Sequence, residues 1–92
     1  MEKARQFLVA TSDLEYKNSS LEGRCSEEIL ESIRNRGIVN PLLIAQVNGC
    51  YRVYIGNQRL AAARRLGICF VPCVIVASSD DVHHAYSSYY EV

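Results

Sequence analysis

The β-branched and aromatic run Val53-Tyr54-Ile55 meets the helix formers Leu60 to Ala63 and Leu66 across Gly56-Asn57, so the chain must turn from strand into helix at that dipeptide. This junction constrains the fold more than any other stretch. Asn57 reads as the N-cap of the helix and Gly67 as the residue that ends it. A helix start carries unpaired N–H groups and a partial positive charge, and Arg59 lies in its first turn. Gly56-Asn57-Gln58-Arg59 is therefore a candidate phosphate site. The plainer reading of the same four residues is an ordinary corner with a solvated arginine.

With 92 residues the chain reads as a single domain over 1–92, with its core at about 6–78 and a last helix at about 80–90. Apolar residues make up 49% and charged residues 22%, a globular composition. Ten basic and ten acidic side chains cancel, which removes long-range attraction to nucleic acid or an anionic membrane. Any phosphate recognition must be local. The N-terminal Met-Glu-Lys-Ala-Arg lacks the apolar core of a signal peptide, and no apolar run has the length of a bilayer span, so a cytoplasmic protein without a membrane partner is expected. Cys25, Cys50, Cys69 and Cys73 form no CxxC pair, so no structural metal is expected.

Gln6 to Thr11 suggests a first strand, and Leu14 to Arg24 a long loop with no clean periodicity. Ser26-Glu27-Glu28 opens a helix running to about Arg36, with Ile29, Leu30 and Ile33 as its buried stripe and Gly37 as its stop. Asn40-Pro41 then enters a strand, Leu42 to Val47, which Asn48-Gly49 folds back on Cys50 to Ile55 as a hairpin. The two strands run opposite ways, so the Gly37 to Pro41 loop and the Gly56 corner should lie at one end of the sheet and face a common cleft. Phe70 to Ala77 reads as a buried strand, and Val82 to Tyr90 as a helix carrying His83, His84, Tyr86, Tyr89 and Tyr90. The fold class expected is α+β, a small mixed sheet with a central β-hairpin and about three helices.

Ser32-Ile33-Arg34, Gly37-Ile38-Val39-Asn40-Pro41-Leu42, Gly56-Asn57-Gln58-Arg59-Leu60-Ala61-Ala62, Gly67 and Val71-Pro72, in this order, resemble the N-terminal domain of ParB proteins and the related sulfiredoxins. The resemblance implies a domain that binds a nucleoside triphosphate, CTP with magnesium in ParB proteins and ATP in sulfiredoxins. It places phosphates at the helix after the GxxR corner. On this resemblance Gly56, Arg59 and the loop Gly37 to Pro41, including Asn40, match phosphate-binding positions, and Ser32 matches a hydroxyl facing the nucleotide. ParB proteins carry glutamate and a second arginine where this chain has Asn57 and Gln58, and a further arginine where it has Ala61. Sulfiredoxins carry their nucleophilic cysteine at the position of Asn57. Neither ParB-type CTP hydrolysis nor sulfinic acid reduction is expected of an asparagine there.

Four functions follow from these residues. The leading one is a stand-alone nucleotide-binding module of a larger assembly, of plasmid, phage or mobile-element origin, with Gly56, Asn57 and Gln58 as backbone cradle and Arg59 as clamp. The second is a kinase or nucleotide hydrolase of the same superfamily, its base drawn from Asp13, Glu15, Glu27, Glu28 or Glu31. The third is a nuclease or nucleic-acid binder using a basic ridge of Arg52, Arg59, Arg64 and Arg65; direct DNA binding is not expected without a further domain. The fourth is a degenerate scaffold whose tyrosine-rich last helix contacts a protein partner or a second copy.

Overall fold

A computed structural model describes residues 5–76. The chain forms β1 (Gln6–Ala10), β2 (Leu14–Glu15), α1 (Glu27–Arg36), β3 (Leu42–Val47), β4 (Cys50–Ile55), α2 (Asn57–Arg65) and β5 (Phe70–Ile75). Short 3-10 turns at Thr11–Asp13 and Ser19–Leu21 flank β2. The five strands make one mixed sheet in the order β1-β5-β3-β4-β2, which puts the β3–β4 hairpin inside it as expected. Strands β1 and β5 pair antiparallel, β5 and β3 parallel, β3 and β4 antiparallel, and β4 and β2 parallel.

Local chemistry sets most of the boundaries. Ser26 caps α1, its hydroxyl accepting from the Ile29 N–H at 3.2 Å, with Glu27 and Glu28 at the positive end of the helix. Asn48 and Gly49 have φ of 51° and 83°, the two left-handed residues that a two-residue hairpin turn requires. Consecutive residues of β3 face opposite ways and are buried on both sides. Leu42 and Ile44 meet Leu60 and Ala63 of α2, while Leu43 and Ala45 join Val74 and Val76 on the other face.

Three expectations are corrected. The first strand ends at Ala10, because Thr11 turns away and its N–H donates to the Cys69 carbonyl at 2.9 Å. The stretch Leu14 to Arg24 is not wholly a loop: Leu14 and Glu15 pair in parallel with Tyr51 and Arg52, and buried Leu14 joins the core. Gly56, not Asn57, is the N-cap of α2. The proposed helix at 80–90, with its histidines and tyrosines, lies outside the described residues, so two of the three expected helices are described.

Candidate functional site at the strand-to-helix corner

Gly56 sits at φ 107°, ψ 19°, and a Cβ built on it would lie 2.7 Å from Cγ of the fully buried Leu42. Backbone angle and packing each penalise a side chain, so glycine is the residue that suits the turn from β4 into α2. Leu43 pairs with Ile55, and this register brings the start of β3 beside the end of β4. The Gly37 to Pro41 loop and the corner therefore share one end of the sheet, as the hairpin argument predicted.

Arg59 joins them. One of its Nη groups donates to the Asn40 carbonyl at 2.8 Å and to the Pro41 carbonyl at 3.2 Å. A cleft of about 270 Å³ lined by Leu21, Ile29, Gly56, Asn57, Gln58 and Arg59 opens at the start of α2. A second of about 170 Å³ is lined by Ile29, Ser32, Ile33, Gly37, Ile38, Val39, Asn40 and Arg59. Ile29 and Arg59 border both. Of the residues singled out in the sequence, Gly56, Asn57, Gln58 and Arg59 line the first cleft, and Ser32, Gly37 and Asn40 line the second. Pro41 is buried and lines neither; its part is the carbonyl that Arg59 holds.

The side chains of Asn57 and Gln58 are engaged with distant backbone. The Asn57 amide donates to the Val53 carbonyl at 3.1 Å, and its oxygen accepts from the Lys17 N–H at 2.9 Å. The Gln58 oxygen accepts from the Ser26 N–H at 2.9 Å. Two neutral amides thus tie the connection between β2 and α1 to the first turn of α2. Among the described residues the N-cap offers no side chain to that turn's N–H groups.

The apolar wall was foreseen only in part. Ile38 and Val39 fall within the Gly37 to Pro41 loop singled out in the sequence, but Ile29 was assigned to the helix stripe and Leu21 to the long loop; Leu21, an apolar residue within the polar stretch Asn18 to Arg24, was the available signal. None of the carboxylates considered as bases lines either cleft. Glu27, Glu28 and Glu31 line a neighbouring pocket with Ser32, Asn35 and Arg36, which adjoins the second cleft at Ser32, and Glu31 pairs with Arg34 at 3.0 Å. Asp13 and Glu15 are beside Cys50 at the far end of β4, where the Glu15 carboxylate raises the Cys50 thiol pKa through a hydrogen bond.

The expected basic ridge is not a free surface either. Arg64 donates to the Thr11 and Leu14 carbonyls, both at 2.7 Å, and stacks on Tyr16 with 5.0 Å to the ring centroid. Arg65 donates to the Gly23 carbonyl at 2.7 Å, and Arg52 faces Glu15 at 3.8 Å.

Residues 12–89 match the ParB N-terminal domain family. The chain belongs to that family. It is 39% identical over 54 residues to a probable chromosome 2-partitioning protein ParB of Deinococcus radiodurans, and 41% identical over 54 residues to a probable plasmid-partitioning protein ParB of Thermus thermophilus. Each match covers 59% of this chain and 18% of the relative, so this ParB N-terminal domain spans less than a fifth of the relatives' length.

The fold is shared with a C-terminally truncated ParB from Caulobacter crescentus complexed with CTP-γ-S (TM-score 0.70, 21% identity, covering 96% of this chain and 54% of that one). It is also shared with sulfiredoxin from Arabidopsis thaliana (TM-score 0.63, 20% identity, covering 88% and 96%). A mutant of a free serine kinase in complex with AMP superposes with a TM-score of 0.68 at 26% identity, covering 87% of this chain and 34% of that one. Among the described residues no helix is long and apolar enough to cross a membrane, and no group of three or more His, Cys, Asp or Glu could hold a metal ion.

Proposed function

We propose that this ParB N-terminal domain is a nucleotide-binding module of a larger, partition-related assembly, holding a nucleoside phosphate at the Gly56 corner. The observation that carries the reading is the bridge made by Arg59 between the α2 start and the Asn40 and Pro41 carbonyls, with a cleft on either side of it. The ParB in complex with CTP-γ-S and the kinase in complex with AMP support it, since both share this fold.

Each part of the cleft suits one part of such a ligand. First-turn N–H groups of Asn57, Gln58 and Arg59 point out of a helix start that favours anions, and the Arg59 guanidinium adds a positive charge. Ile29, Ile38 and Val39 offer an apolar wall to a base or sugar, while the Ser32 hydroxyl and the Asn40 carboxamide supply polar partners.

The lining does not suit a protein-held magnesium ion. Its donors are amides, a hydroxyl and backbone, with no carboxylate among the described residues. Among the described residues it offers no carboxylate base for hydrolysis or phosphoryl transfer either. The function proposed is therefore one of binding.

Thermal unfolding against nucleoside mono-, di- and triphosphates tests it. Ligand at a hundred times its Kd should add about 2.7 kcal/mol, roughly a 10–20 °C shift for a domain of this size. Arg59→Ala should weaken binding on the order of tenfold to a hundredfold, the effect of losing a charge-assisted hydrogen bond. Calorimetric titration below the unfolding temperature separates this loss from any lost stability. Unchanged affinity would sink the clamp.

A further inference from the structure

We propose, resting on the nucleotide reading above, that the corner selects a nucleoside monophosphate over the corresponding triphosphate. Each added phosphate brings negative charge that a site must neutralise with cations or with a metal ion held by carboxylates. Among the described residues, Arg59 is the one lysine or arginine in the lining of the two clefts. Arg34 pairs with Glu31, and Arg52 faces Glu15. Arg64 and Arg65 are bound to backbone carbonyls, and Arg5 lies over Phe7.

Arg36 lines the neighbouring pocket with Glu27, Glu28 and Glu31. Lys17 and Arg24, on the connection between β2 and α1, line neither cleft. Lys3 precedes the described residues.

Arg59 itself is partly committed, since one Nη group already serves two carbonyls. Gln58, one residue earlier on the same helix turn, is neutral and donates no charge; its oxygen holds the Ser26 N–H. No carboxylate among the described residues lines either cleft, so none of them offers a metal ion a charged ligand there. One helix start and one guanidinium match one phosphate group. The cleft at the α2 start, about 270 Å³ and separated by Arg59 and Ile29 from the one of about 170 Å³, is the part that receives phosphate.

Calorimetric titration of the whole chain with matched mono- and triphosphates, each in chelator and in magnesium, tests the inference. The monophosphate should bind more tightly than the triphosphate in both conditions. A triphosphate bound as tightly as the monophosphate, or more tightly, in either condition overturns the inference while leaving the nucleotide reading standing. Absence of binding by every nucleotide overturns both. Gln58→Arg supplies a second cation and should move the ratio about tenfold toward the triphosphate, with Gln58→Lys as the alternative if the first variant does not fold. An unchanged ratio in a folded variant also counts against the inference.

Discussion

Replacing Gly56 by alanine tests whether the corner is fixed by packing as well as by backbone angle. At φ 107° an L-residue is strained, on the order of 1–3 kcal/mol. The new Cβ would also lie 2.7 Å from Cγ and 3.3 Å from Cβ of Leu42, a residue with no exposed surface and no room to retreat. Overpacking of this kind typically costs about 1–3 kcal/mol more.

Together the two effects come to roughly 2–6 kcal/mol, which lowers the unfolding temperature of a domain this size by on the order of 10–40 °C. Gly67→Ala is the control, because Gly67 has φ 73° but nothing within 4 Å of a built Cβ. It carries the backbone strain alone. Urea unfolding of both variants, with equal m-values, gives the difference directly. Equal destabilisation of the two would refute the steric part of the argument, and a loss below about 1 kcal/mol for Gly56→Ala would refute it entirely.

Arg64→Ala should cost about 2–3 kcal/mol in chemical denaturation, since it removes two 2.7 Å hydrogen bonds to the Thr11 and Leu14 carbonyls and the stack on Tyr16. Arg64→Lys should recover less than half of the loss, because an ammonium cannot reproduce the planar fork; full recovery would count against this role. Burial pushes the Cys73 thiol from its ordinary 9.0 up to about 12. The unfolded chain releases this proton first, so stability should fall as pH rises from 9.0 toward about 12. Cys73→Ala should lose that part of the alkaline dependence in pH-dependent unfolding. A profile that keeps its full slope would contradict the assignment.

The residues that made the fold legible act over a few positions of chain. Ser26 three residues before Ile29, the Asn48-Gly49 pair, Gly37 after Arg36 and the change of propensity at Gly56 each specify a cap or a turn by local sterics, and all fall where expected. The hairpin then fixed by strand direction alone that the Gly37 to Pro41 loop and the α2 start share one end of the sheet. Family-like spacing around Gly56 and Arg59 located the cleft for the same reason: its frame is built from contiguous segments.

What the sequence did not reveal lies in contacts between residues 18 to 53 positions apart. Arg59 looked like a clamp awaiting an anion, and the fold gives it the Asn40 and Pro41 carbonyls. Asn57 and Gln58 looked like a cap and a cradle, and their side chains hold the N–H groups of Lys17 and Ser26. Arg64 and Arg65 looked like a ridge and are bolts into backbone.

Sequence alone determined the two described helices, the central hairpin and the place of the corner, because propensity, capping and turn geometry are local, whereas β2 rests on its pairing with β4. Only the tertiary structure decided which polar side chains are committed to the frame, and that Gly56 is the cap, because a carbonyl or a Leu42 side chain brought close by folding leaves no periodic trace in the chain.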